Sequence, residues 1–246
     1  DQFGWIGHNA GDCDGDGVND VLLSAPTRNL GGPAAGRVYL YSGKSGAPLF
    51  THDGKPGDLL GWTMAGLGDV NADGRGDVIA GAPGAKSGRG TALVLSGKDG
   101  ATLFELAGES AGDGFGGRVA SVGDADGDGH ADFLVGADTC DSFGADAGRA
   151  YLYSGKDASV LVSLDGEEAG DKFGNGLCGT TVKGKDGKLE TLIVTAAGGA
   201  GARNAGRVFV FLWKAGELEL LYSIEADETG VALGVMFLSI VGDVDG

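Results

Sequence analysis

An all-β chain of radially repeated four-stranded units, a β-propeller, is the fold class predicted by three observations. The first is one acidic loop written three times: Asp12-Cys13-Asp14-Gly15-Asp16-Gly17-Val18-Asn19-Asp20, Asp69-Val70-Asn71-Ala72-Asp73-Gly74-Arg75-Gly76-Asp77 and Asp124-Ala125-Asp126-Gly127-Asp128-Gly129-His130-Ala131-Asp132. The second is their spacing: they start at residues 12, 69 and 124, intervals of 57 and 55, so each belongs to a larger repeat. The third is what lies between them, short apolar runs separated by many of the chain's 51 glycines, with no helix-period segment of length. That pattern fits radial β repetition better than a sandwich or an α/β fold.

Each unit opens on an apolar residue and a glycine nine residues ahead of its loop, at Phe3-Gly4, Leu60-Gly61 and Phe115-Gly116; the series continues at Phe173-Gly174 and at Leu233-Gly234. An aspartate two residues earlier recurs as Asp1, Asp58, Asp113 and Asp171. The first strand of unit one is expected near Gly4 to Asn9. After each loop comes a second strand ending in a small turn, at Val21 to Pro26, Val78 to Pro83 and Phe133 to Asp138. A third strand, rich in β-branched and aromatic residues, is expected at Gly36 to Tyr41, Gly90 to Leu95, Gly148 to Tyr153 and Gly206 to Phe211. Three of these run into Ser-Gly-Lys and a tight turn, and a fourth apolar stretch follows at Pro48 to Phe50, Thr102 to Phe104, Val160 to Val162 and Leu218 to Leu221. The expected division is blade 1 over residues 1–57, blade 2 over 58–112, blade 3 over 113–170, blade 4 over 171–230 and the first strand of a fifth blade within 231–246. Together these form one propeller domain or part of one. Gly242 to Gly246 begins a further acidic loop, so closure by missing sequence or a second chain, or an open arc, is expected.

The loops read as oxygen cages for a hard cation. Carboxylates or carboxamides at positions 1, 3 and 5 converge while Gly at position 6 supplies a sharp turn. Position 7 needs only a backbone carbonyl, which lets Val18, Arg75 and His130 share it, and an aspartate at position 9 closes the shell. The expected calcium ligands are Asp12, Asp14, Asp16, Val18 and Asp20; Asp69, Asn71, Asp73, Arg75 and Asp77; and Asp124, Asp126, Asp128, His130 and Asp132, three sites in all. Any single Asp-Gly loop is an ordinary solvated turn, but three in register favour calcium. They are not EF-hands, since position 12 is Leu23, Ala80 or Val135 rather than Glu. In unit four the ligand positions fall on Val182, Gly184, Asp186 and Glu190, interleaved with Lys183, Lys185 and Lys188. Two acids beside three cations predict no metal there.

The Phe-Gly, the Asp-rich loop and the Ala-Pro after it resemble FG-GAP repeats, which form the β-propeller of integrin α subunits. The resemblance covers nearly the whole chain. It implies a propeller fold, calcium on the loop aspartates and an extracellular, secreted or cell-surface setting. In an up-and-down meander the acidic loops share one face with the Ser-Gly-Lys turns. The other face carries the variable loops Thr27 to Ala35, Asp138 to Ala147 and Gly198 to Ala205, and the resemblance places the ligand site there. A protein or glycan partner is expected on that non-calcium face.

Charge excludes other classes. Three divalent ions would reduce the net charge from −17 to −11, still too acidic for nucleic acid or an anionic membrane surface as partner. No apolar run approaches the roughly 20 residues of a membrane helix. Arg75-Gly76-Asp77 spells an adhesion tripeptide, but Asp77 is already an expected ligand. Gly112 to Gly117 matches a dinucleotide fingerprint by letters only, because it precedes a strand. Gly43-Lys44-Ser45 lacks the first glycine of a phosphate loop, Val38 standing in its place. Cys13, Cys140 and Cys178 allow one disulfide at most, with Cys140 to Cys178 and free thiols both open. His8, His52 and His130 share no zinc spacing. Trp5 and Trp62 recur at one place in their blades, which favours inter-blade packing over sugar stacking. A calcium-binding adhesion or recognition module is therefore the expected function. The alternatives are the propeller part of a secreted polysaccharide- or lipid-acting enzyme and a purely structural surface domain. No catalytic motif is found, and no enzyme is expected.

Overall fold

In the computed structural model, which describes residues 1–198, 206–227, 233 and 238–240, the chain forms four antiparallel sheets of four strands. Each sheet runs in sequence order. The first holds β1 (Gly7–Gly11), β2 (Asp20–Ala25), β3 (Arg37–Tyr41) and β4 (Pro48–Asp53); the second β5 (Met64–Gly68), β6 (Asp77–Ala82), β7 (Thr91–Leu95) and β8 (Thr102–Ala107). The third holds β9 (Arg118–Gly123), β10 (Asp132–Ala137), β11 (Arg149–Tyr153) and β12 (Val160–Asp165). The fourth holds β13 (Phe173–Lys183), β14 (Leu189–Ala197), β15 (Arg207–Lys214) and β16 (Glu217–Glu225). A short turn of helix, α1 (Ala85–Gly88), sits in the loop before β7 and is non-helical at Lys86 and Ser87. These are the blades of a β-propeller. The four expected meanders are present, and the strands whose places were expected in blades 1 to 4 lie within a few residues of them.

The blades copy one another down to their irregularities. The third and fourth strands of every sheet slip register at the same point, between Leu40 and Tyr41, Val94 and Leu95, Leu152 and Tyr153, and Val210 and Phe211. Such a bulge adds twist to the outer strand. Burial falls from the inner strands outward: β6 and β10 are buried at every residue, whereas β4 and β8 alternate between exposed and half-buried. Every residue of β16 is exposed.

The core lies between blades. Leu22, Val38 and Leu40 pack with Met64, Val78 and Leu95. Ile79 and Val94 pack with Phe115, Val119 and Phe133. Leu134 and Leu152 pack with Phe173, Ile193 and Phe209. Fully burying such side chains stabilises by about 1.5–3 kcal/mol each, and here each residue needs the neighbouring repeat to be buried.

The Phe/Leu-Gly pair is the seam of this packing. Leu60, Phe115 and Phe173 bridge in parallel to Gly36, Gly90 and Gly148 of the preceding blade and are buried. The following glycine turns the chain with φ of +86° at Gly61, +78° at Gly116 and +87° at Gly174, a region that side chains disfavour. The backbone of Leu233 likewise lies close against Gly206, where a Cβ would collide with it. The remainder of the expected fifth strand, apart from residues 238–240, lies outside the described residues, as do its acidic start at Asp243 and the loop from residue 199 to 205. The recurrent aspartate before each pair holds the approach turn, its carboxylate accepting from Lys55 N (Asp58, 2.8 Å), Ser110 N (Asp113, 2.7 Å) and Glu167 N (Asp171, 2.9 Å).

All three cysteines are free thiols, so the candidate Cys140 to Cys178 disulfide is not formed. Cys140 is buried in the loop after β10, while Cys178 lies on inner strand β13. Trp5 and Trp62 pack against each other across blades 1 and 2, with centroids 5.5 Å apart.

Candidate metal centres

Each acidic loop joins the first and second strands of its blade and is wound on its first aspartate. In loop one, Asp12 Oδ1 accepts from Gly15 N (2.7 Å) and Asp16 N (3.1 Å), and Oδ2 accepts from Gly17 N (2.9 Å). These amides hold the Asp12 carboxyl below its usual range. Loop three repeats the pattern on Asp124, with Gly127, Asp128 and Gly129 donating. In loop two Asp69 accepts from Asp73 N and Gly74 N. The third-position side chains Asp14, Asn71 and Asp126 each accept one amide, from Asp16, Asp73 and Asp128.

The ninth-position aspartates have a second role that sequence spacing does not reveal. Asp20, Asp77 and Asp132 are at most 1% exposed. One oxygen of each takes two amides of its own loop: Cys13 and Asp14, Val70 and Asn71, Ala125 and Asp126. The other takes the glycine amide of the Ser-Gly-Lys turn, Gly43 N at 3.0 Å, Gly97 N at 3.0 Å and Gly155 N at 2.8 Å. Three of about four lone-pair positions are thereby occupied. The turn glycine is obligatory, because a Cβ on Gly43, Gly97 or Gly155 would collide with the carbonyl of Asn19, Gly76 or Ala131. Burial pushes the Asp132 carboxyl up to about 6 and raises Asp77. This geometry places the acidic loops and the Ser-Gly-Lys turns on one face. It also fixes Asp77 of the Arg75-Gly76-Asp77 tripeptide inside the protein.

Position 7 also does more than its backbone carbonyl requires. Arg75 Nη1 donates to the Cys13 carbonyl at 3.3 Å, and His130 Nδ1 lies 2.6 Å from the Val70 carbonyl, in each case the loop of the preceding blade. One residue on, Gly76 N donates to Asp12 O and Ala131 N to Asp69 O. The loops are thus bonded to one another in series. Val18, in the first blade, has no such reach.

Among the described residues, two carboxylate groups bring their oxygens within 4.8 Å of one another: Asp12, Asp14 and Asp20 in loop one, and Asp124, Asp126 and Asp128 in loop three. Loop two, with Asn71 at its third position, forms no such acidic trio. The donors are all oxygen, which suits a hard cation such as calcium rather than zinc or copper. Burial, with Asp128 and Asp124 nearby, raises the Asp126 carboxyl, the strain a bound cation would relieve. Lys44 and Lys156 approach the fifth-position Asp16 and Asp128 at 3.8 Å from exposed positions. The residues present fit calcium. In unit four the acids are taken differently: Lys214 Nζ from β15 binds Glu190 at 2.7 Å and Asp186 at 2.9 Å. The counter-charge comes from the neighbouring strand rather than from the interleaved lysines.

Fold and loops together define a β-propeller whose first three blades carry an Asp-rich loop between their first and second strands. The FG-GAP repeat model matches residues 3–41, 60–95 and 115–153. The chain is 32% identical to integrin alpha-4 of Xenopus laevis over 168 residues, 64% of this chain and 16% of that protein. It is 32% identical to human integrin alpha-7 over 185 residues, 68% of this chain and 15% of that protein. This is therefore an integrin-like FG-GAP propeller chain, spanning about a sixth of the length of these relatives. A rhamnogalacturonan lyase, YesW, superposes with a TM-score of 0.50 at 17% identity over 90% of this chain and 51% of its own, a likeness of fold alone.

Proposed function

We propose that this chain is a calcium-stabilised, extracellular or cell-surface recognition module, with calcium on the three acidic loops and a protein or glycan ligand on the opposite face. The carrying observation is the pair of carboxylate clusters at equivalent corners of blades 1 and 3, in a chain with FG-GAP repeats and integrin alpha subunits among its relatives. No helix of the described residues is long and apolar enough to cross a membrane. Calcium in this proposal is structural: it neutralises aspartates that the loop backbone already gathers, and the series of loop-to-loop bonds spreads that stabilisation between blades. With affinities of extracellular modules, about 10⁻⁴ to 10⁻³ M, millimolar calcium stabilises by roughly 0.4–1.4 kcal/mol per site.

On the opposite face, Glu109, Asp113, Asp141, Asp146 and Arg149 border a polar groove of about 530 Å³ between blades 2 and 3, which suits a hydrogen-bonding ligand. A binding screen of immobilised glycans and extracellular proteins, run with calcium and with chelator, tests the reading. Saturable binding lost on substituting groove residues supports it. Cleavage of a polysaccharide by the chain would favour an enzymatic role instead.

A further inference from the structure

The four inner strands β1, β5, β9 and β13 border one cavity of about 730 Å³. Arg118, the first residue of β9, lines it at the end away from the acidic loops. Its Nε donates to the Asn175 carbonyl at 2.7 Å and its Nη1 to the Gly117 carbonyl at 2.6 Å, while among the described residues Nη2 has no hydrogen-bond acceptor. Among the described residues no carboxylate comes within the 4.0 Å of an ion pair. The acid that acts on it, Asp138, is instead hydrogen-bonded by Asn175 Nδ2 at 2.6 Å. Burial accordingly lowers the Arg118 pKa from its ordinary value.

The fold does not require this charge. Counting from the Phe/Leu-Gly pair, the same position is Ile6 in blade 1, Thr63 in blade 2 and Gly176 in blade 4. A half-buried guanidinium with no carboxylate in ion-pair contact is costly unless a closer partner arrives, and its planar fork matches a carboxylate. Around it the walls are apolar at Ile6, Met64, Val119 and Leu177 and bear hydroxyls at Thr63 and Ser121. The net charge of −17 opposes any anion at a distance, but beyond about 8 Å that field is screened at physiological ionic strength. Close to the cavity wall, Arg118 decides.

The geometry points to a binding site at Arg118 for an organic carboxylate with an apolar body, the oxyanion on the free edge of the guanidinium and the body against Ile6, Met64, Val119 and Leu177. This names the ligand chemistry of the proposed recognition module, and it rests on that reading for its purpose, while the binding itself is independent of calcium.

The test is calorimetric titration of the full, metal-stripped chain with benzoate and, as a neutral counterpart, benzamide. Saturable benzoate binding at least about tenfold tighter than benzamide is expected, the worth of a charge-assisted hydrogen bond. Arg118→Gln should bring benzoate down to the benzamide level, and Arg118→Lys, which keeps the charge but loses the fork, should fall between. No benzoate binding, equal binding of the two compounds, or benzoate binding unchanged in Arg118→Gln would overturn the site. Should Arg118→Gln fail to fold, the benzoate to benzamide ratio of the parent chain and the Arg118→Lys variant decide. A separate calcium titration of the same stripped chain distinguishes the two readings: benzoate binding without calcium binding sinks only the calcium assignment, and calcium binding without benzoate binding sinks only this site.

Discussion

The Asp132 carboxylate accepts a hydrogen bond from the Gly155 amide at 2.8 Å, tying the acidic loop of blade 3 to the Ser-Gly-Lys turn that follows β11. Asp20 with Gly43 and Asp77 with Gly97 repeat the bond at 3.0 Å. The ninth-position aspartate therefore holds two connections of its blade together whether or not a cation is present.

Removing that aspartate should destabilise the metal-free protein. Asp77→Ala leaves two buried amides and one part-buried amide without their acceptor, and a loss of about 3–5 kcal/mol is expected. Asp16→Ala, which removes a carboxylate accepting one amide in an exposed part of its loop, should cost under about 1 kcal/mol in chelator. Urea unfolding of both variants in chelator checks the contrast; equal losses would contradict the scaffold role.

The turn glycines should tolerate no side chain. Gly97→Ala places a Cβ against the Gly76 carbonyl and the Cys13 side chain, and a loss of about 1–3 kcal/mol or more is expected from overpacking. Gly57→Ala is the converse case: it has a positive φ, +85°, which Gly97 lacks, and nothing within 4 Å. Its smaller loss, compared by the same unfolding experiment, isolates the collision from the backbone strain.

The inter-blade links at position 7 should contribute stability. His130→Ala loses the contact to the Val70 carbonyl, for an expected cost of about 1 kcal/mol. Calcium stoichiometry should not change, because the residue's proposed metal-facing group is its backbone carbonyl. A lost calcium site in this variant, measured by calorimetry, would assign the imidazole to the metal instead.

Asp138 should give the stability a pH dependence of definite sign. Burial raises its pKa above the ordinary 3.8, against the opposing influence of Arg118, Asn175 and Lys172. A raised carboxyl contributes stability that is fully present below 3.8 and is lost as pH rises through the folded-state pKa. The parent chain should therefore lose stability relative to Asp138→Asn as pH rises above the ordinary 3.8. A difference between the two that does not vary with pH in paired urea melts would contradict this.

Much of this architecture was legible because its signals are local. The strand runs, the left-handed glycine of each Phe/Leu-Gly pair and the acidic loops are each set within a few residues of sequence. The second role of Asp20, Asp77 and Asp132 was hidden, since a ligand and a scaffold acceptor share one residue type at one spacing. The reach of Arg75 and His130 to the preceding blade depends on how blades stack. Hidden for a different reason were the ion pairs Arg37 to Asp53, Arg149 to Asp165 and Arg207 to Glu225, which cross from third to fourth strand within three blades. Their register passes through a bulge that no pattern of letters marks. In blade 4 the expected loop positions Val182 and Glu190 are instead paired across an extended hairpin, β13 running to Lys183 and β14 starting at Leu189.

Calcium titration of the chelator-stripped chain, followed by calorimetry and thermal unfolding, bears most directly on the metal assignment. Up to three sites are expected, with an unfolding temperature raised by several degrees at millimolar calcium. Asp14→Asn and Asp126→Asn should each weaken one site without disturbing the apo fold. Absence of calcium heat, together with a melting temperature that neither calcium nor these substitutions move, would contradict the acidic loops as metal centres.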